Sequence, residues 1–175
     1  VEEVMARTTM PLAPPPIYNP PVWPILTYPF TFLSYPPAAF AWVAVNLTML
    51  AIATYMLTDI AGLHGWKPRT LSYTIVVTFG PVFLDLSIGQ NSTFLLLMVV
   101  VAGWSLRRAV RHSEAMAAVA VALAVGAKLF PLFWSGAFFL LRRARLFVLT
   151  LLMTAGLITI AYLLFPAESL DYLTV

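Results

Sequence analysis

The chain has 175 residues, of which 61% are hydrophobic and 10% charged, with a mean hydropathy of +0.90. Soluble domains carry about a quarter charged residues, so this composition excludes an ordinary soluble domain and puts the chain in a bilayer. The net charge of +3 sits in short basic clusters between apolar runs, a topogenic pattern and not a nucleic-acid surface, and the lack of cysteine excludes disulfides, thiolate zinc sites and cysteine nucleophiles.

The chain begins at Val1, with no basic n-region leading a short apolar h-region, and is read as a fragment or processed chain. Residues 1–35 form a Pro-rich leader in which Pro11, Pro14, Pro15, Pro16, Pro20, Pro21, Pro24 and Pro29 rule out one uninterrupted helix. The apolar part of the leader, 22–33, is too short and broken to span, so an interfacial or re-entrant segment is expected. Trp23, Tyr28, Tyr35 and Trp42 suit the headgroup level.

A transmembrane bundle is expected over residues 36–165. Crossing about 30 Å of hydrocarbon takes roughly 20 helical residues, and four apolar runs reach or approach that length: 38–57, 71–88, 93–106 and 146–165. A fifth, 115–141, is interrupted by Gly126, Lys128 and Pro131; the proline lacks a backbone donor and clashes with the carbonyl four residues earlier. Residues 166–175 form a tail, beyond which further helices are expected. The fold class is therefore all-α, a polytopic membrane helical bundle with a re-entrant or broken helix pair.

Orientation follows from the basic residues. Lys67 and Arg69 follow the first span, Arg107, Arg108 and Arg111 follow the third, and Arg142, Arg143 and Arg145 precede the last, so all three clusters are expected inside. The leader, the Gly89-Gln90-Asn91 turn and the C-terminal tail then face outward. Only about 30 residues separate Arg111 from Arg142, too few for two full spans. Either one cluster breaks the rule, or the segment enters and returns as two short helices meeting near Lys128 and Pro131; the return is the preferred reading and turns Lys128 toward the cavity of Gln90.

Polar groups at membrane depth are functional-site candidates. Lys128 reads either as a charge lining a cavity at the helix break or as a snorkelling lysine. Asn91 or Ser92 can cap the next helix, a role that Gln90 does not share, so Gln90 is the stronger substrate candidate of the turn. Asp85, one turn before Gly89, is either a polar wall of the same cavity or a hydrogen-bonded acid at the interface. Asn91-Ser92-Thr93 spells a glycosylation acceptor too close to the bilayer for modification. His64 and His112 lie far apart in polar connections, which argues against a metal site. Gly62, Gly65 and Gly126 make no phosphate-cradling nucleotide loop.

Taken in order, Tyr18-Asn19-Pro20-Pro21, Pro81 ahead of Gly89-Gln90-Asn91, a span ending in Arg107-Arg108, and Ala127-Lys128-Leu129-Phe130-Pro131 leading to Arg142-Arg143 form a pattern over residues 18–157. It resembles the glycosyltransferase 87 family, multi-spanning enzymes of the GT-C fold. The resemblance implies a cell-membrane, multi-pass hexosyltransferase, mannosyltransferases among them. A hexose would pass from a polyprenyl-phosphate-sugar donor to a lipid-linked or glycan acceptor on the outer face, with inversion and without a cofactor or metal. It also implies substrate binding at Tyr18, which would close the outer loop, and at Gln90, Asn91 and Lys128; Asp85 joins these substrate-binding candidates from its position alone, which is mostly apolar in the family. Membrane lipids are the other partners; nucleic acid is not one. In such enzymes the proton-accepting carboxylate sits in the first outward loop. That stretch is expected to precede this chain, with Glu2 and Glu3 at its end, so the catalytic base is unassigned and this fragment is expected to be inactive alone. Two other classes fit the broken helices: a transporter or channel module, and a non-catalytic lipid-binding subunit. One-sided polar groups speak against transport.

Overall fold

In the computed structural model the chain is described over residues 22–87, 90–108 and 112–166. Within them the regular elements are all helical. A short helix α1 (Val22–Thr27) runs into a 3-10 turn (Tyr28–Phe32) with Pro29 at its start. Then come α2 (Tyr35–Ile60), α3 (Trp66–Thr78), α4 (Gly80–Ser87), α5 (Ser92–Arg108), α6 (Ser113–Ala127), α7 (Leu132–Leu140) and α8 (Ala144–Leu164).

The local chemistry explains the boundaries. Pro36 and Pro37 open α2, where a missing N–H goes unnoticed. The same helix ends on Gly62 at φ 74°, with the Leu63 N–H donating to the Thr58 carbonyl at 2.8 Å and the Gly62 N–H to the Asp59 carbonyl at 3.2 Å. This is a Schellman cap, for which glycine supplies the left-handed residue. The end of α7 repeats the geometry with Arg142 at φ 57°: Arg143 donates to Phe138 and Arg142 to Phe139.

The apolar run 71–88, read as one span, is folded as two helices meeting at 61°. Pro81 is the cause. In a continuous helix its position would have to donate to the Val77 carbonyl, and it cannot. The backbone turns at Phe79 instead, and the Val82 N–H takes the Phe79 carbonyl at 2.9 Å.

The bundle is built as a row. Helix α6 is central, packed between α5 and α8; α2 lies on the far side of α5 with α3 beyond it, and α7 lies on the far side of α8. The sequence of α6 suits that place. Ala117, Ala118, Ala120, Val121, Ala122, Ala124 and Val125 are all buried, and such small side chains let neighbouring backbones approach closely. Outward-facing positions are large and apolar, with Phe40 78%, Phe133 84% and Leu163 74% exposed, the inverse of a soluble surface and suited to lipid tails. Among the described residues two helices, α2 and α8, are long and apolar enough to cross a membrane, or three spans if α3 and α4 count as one. The protein is a helical membrane protein.

Helix α1 lies across one end of the row, against α6 and α8. Gly126 is the reason it can: a Cβ there would sit 2.9 Å from Val22 Cγ1 and 3.0 Å from Val22 Cβ. Trp23 packs beside it, edge-on to Trp42 at 5.6 Å and to Phe94 at 5.9 Å between ring centres. The aromatic residues expected at the headgroup level thus gather at this end, joined by Phe94.

Candidate functional site

The described charges segregate to opposite ends of the bundle. At one end, Asp59 at the close of α2 accepts from Trp104 Nε1 at 2.9 Å and from Arg108 at 3.0 Å, both on α5. Arg107 donates to the Ile60 carbonyl, and the Arg69 guanidinium lies 4.1 Å from the centre of the Tyr55 ring. Arg145, opening α8, faces Glu114, opening α6, at 3.7 Å. Exposed pairs of this kind add little stability; their value here is positional. They bring the three basic clusters of the sequence to one end, and α7 must therefore return there from the break at Lys128.

The opposite end holds the two polar breaks. Pro131 sets the break between α6 and α7. Its missing N–H leaves the Ala127 carbonyl without a helical donor, so α6 stops at Ala127 and Lys128 adopts extended backbone at φ −151°. The Asn91 side chain, from the turn before α5, donates to that Ala127 carbonyl at 3.1 Å. Asn91 is 3% exposed. The two breaks, 36 residues apart in sequence, are therefore joined by a buried hydrogen bond. Above it, Lys128 Nζ lies 3.5 Å from Gln90 Oε1 in an exposed contact, long enough for the amide to yield to a stronger acceptor.

Two cavities flank the start of α5. One, of about 260 Å³, is lined by Lys128, Phe130, Pro131, Trp134, Ser92 and Leu96 among others. The second, of about 320 Å³, is lined by Asp85, Pro81, Val82, Leu50, Thr93, Ser92 and Leu96. Ser92 and Leu96, one helical turn apart, form the ridge between them. Asp85 is tied to the turn through its carbonyl, which accepts from the Gln90 N–H at 3.1 Å.

Of the expected site residues, Asp85, Gln90, Asn91 and Lys128 thus meet around the first turn of α5. Tyr18 and Gly89 lie outside the described residues, as do Glu2 and Glu3. Ser92 and Thr93 belong to the cavities as well. In the sequence these two residues signal only a helix cap and a glycosylation acceptor.

Residues 18–175 match glycosyltransferase family 87. The chain belongs to this family. No curated protein and no solved structure matches it. Membership of glycosyltransferase family 87 makes the protein a membrane glycosyltransferase, with a sugar donor, an acceptor and membrane lipids as its partners. That favours the transferase over the transporter and lipid-binding alternatives.

Proposed function

We propose that this family 87 glycosyltransferase moves a mannose-like hexose from a polyprenyl-phosphate donor to a hydroxyl on a lipid-linked or glycan acceptor, at the outer face of the cell membrane, within a multi-pass bundle of GT-C type. In the reaction the bond from the anomeric carbon to the carrier phosphate breaks and a bond to the acceptor oxygen forms. The acceptor proton passes to a base, and the electron pair of the broken bond leaves with the polyprenyl phosphate. The leaving phosphate needs a fixed cation or donors.

The observation that carries this reading is Lys128. Among the described residues it is the one basic side chain outside the clusters at the other end, and it borders a cavity otherwise lined largely by apolar side chains. A lysine there meets a lipid phosphate as a compact charge, and Gln90 adds an amide N–H for a phosphate oxygen. Tyr18 contributes from the leader, and Asn91 acts by fixing the distance between the breaks.

The test is donor choice. The full-length enzyme in nanodiscs transfers mannose from decaprenyl-phosphate-mannose and not from a nucleotide-mannose supplied without the lipid carrier. Efficient transfer from the nucleotide donor alone would overturn the reading.

A further inference from the structure

Asp85 stands apart from the other described acids. Asp59 and Glu114 are each ion-paired with an arginine at the basic end. The Asp85 carboxylate has no hydrogen bond or ion pair with any described residue, yet it lines a cavity at the end where Lys128 stands. A carboxylate next to a lipid-facing bundle is costly unless it has a partner. The cavity wall supplies none of opposite charge: Ser92 and Thr93 bring hydroxyls, and Leu50, Pro81, Val82 and Leu96 are apolar.

A carboxylate that accepts, two hydroxyls that donate or accept, and apolar side chains suit a neutral polyol. Carboxylate oxygens accept from sugar hydroxyls in strong charge-assisted hydrogen bonds, and apolar walls meet the C–H face of the ring. The volume of about 320 Å³ lies at the small end of the range for ligand pockets, roughly 300–1,000 Å³, which fits a single sugar. The same negative charge repels a phosphate. Across the ridge of Ser92 and Leu96 the sign reverses, with Lys128 lining the neighbouring cavity.

We infer that the paired cavities orient the donor by charge: the Asp85 cavity receives the sugar while the Lys128 cavity receives the phosphate. The inference rests on the lipid-phosphate-sugar reading above. Asp85 is then a sugar-binding residue that distinguishes a loaded carrier from a spent one. After transfer the carrier phosphate keeps its contacts at Lys128 and Gln90 and loses those of the sugar, so product leaves more readily than substrate.

The experiment compares two probes on the full-length protein in nanodiscs: decaprenyl-phosphate-mannose and decaprenyl phosphate. Asp85→Asn raises the Kd of the mannosylated lipid about tenfold or more, the loss of charge-assisted hydrogen bonds, and leaves that of the bare lipid phosphate unchanged. Val82→Phe, which narrows the cavity while keeping the Asp85 carboxylate, discriminates in the same direction. Lys128→Ala weakens both lipids alike. If Asp85→Asn and Val82→Phe weaken both lipids equally, or neither, the sugar assignment is wrong. If transfer falls while donor affinity holds, the cavity serves the acceptor and the inference also fails. Should the wild-type protein bind neither lipid, the donor class itself is wrong, a result separable from the other two.

Discussion

The Asn91 side-chain amide donates to the Ala127 carbonyl, the acceptor that Pro131 deprives of its own helical donor. One proline therefore does two things: it breaks a buried helix, and it leaves a carbonyl that a distant turn can grip. Lys128 follows directly on that gripped residue, and Gln90 directly precedes the gripping one. This bond ties together the two segments that carry the candidate phosphate site.

Removing the amide leaves the Ala127 carbonyl buried without that donor. Replacing Asn91 by alanine is expected to destabilise the protein by about 1–3 kcal/mol, read as a lowered midpoint of thermal unfolding in detergent. Affinity for a lipid phosphate falls as well, because Lys128 and Gln90 are no longer held together. An unchanged midpoint would mean that the breaks are positioned by packing alone.

Gly126 and Val22 test how α1 is seated. Gly126→Val places a side chain inside the contact with Val22, and overpacking of this kind typically costs about 1–3 kcal/mol. The double variant with Val22→Ala recovers most of that loss, since the two residues touch and their effects are coupled. Additive losses would show that Gly126 is small for another reason.

The opposite ends of the bundle should label from opposite sides of the membrane. In cells, a cysteine at Gln90 reacts with a membrane-impermeant maleimide added from outside. A cysteine at Leu63, beside the basic end and 46% exposed, reacts only after permeabilisation. The reverse pattern would invert the bundle and move the site to the inner face.

Much of this arrangement is legible in the residues. Apolar run lengths mark the helices, and Pro131 marks where one must break. The bend between α3 and α4 is harder to read, because the run 71–88 taken whole is apolar enough for a span and the local signs of a break are confined to Gly80 and Pro81. The Asn91 to Ala127 bond joins segments on different helices, and no periodicity encodes it. Pro131 does predict that some donor must reach Ala127, but not which one. Trp104 and Asp59 meet for the same tertiary reason, 45 residues apart. The Asp85 cavity depends on the angle between α4 and α5, so the sequence offers the acid but not its surroundings.

The role of Lys128 is read from the rate of mannosyl transfer from decaprenyl-phosphate-mannose by the full-length enzyme carrying Lys128→Ala, with Lys128→Arg alongside. Losing a charge that stabilises the leaving phosphate lowers kcat/KM by about a hundredfold or more, and the arginine variant recovers part of it. Wild-type turnover by Lys128→Ala would reduce this lysine to a snorkelling residue and contradict the account.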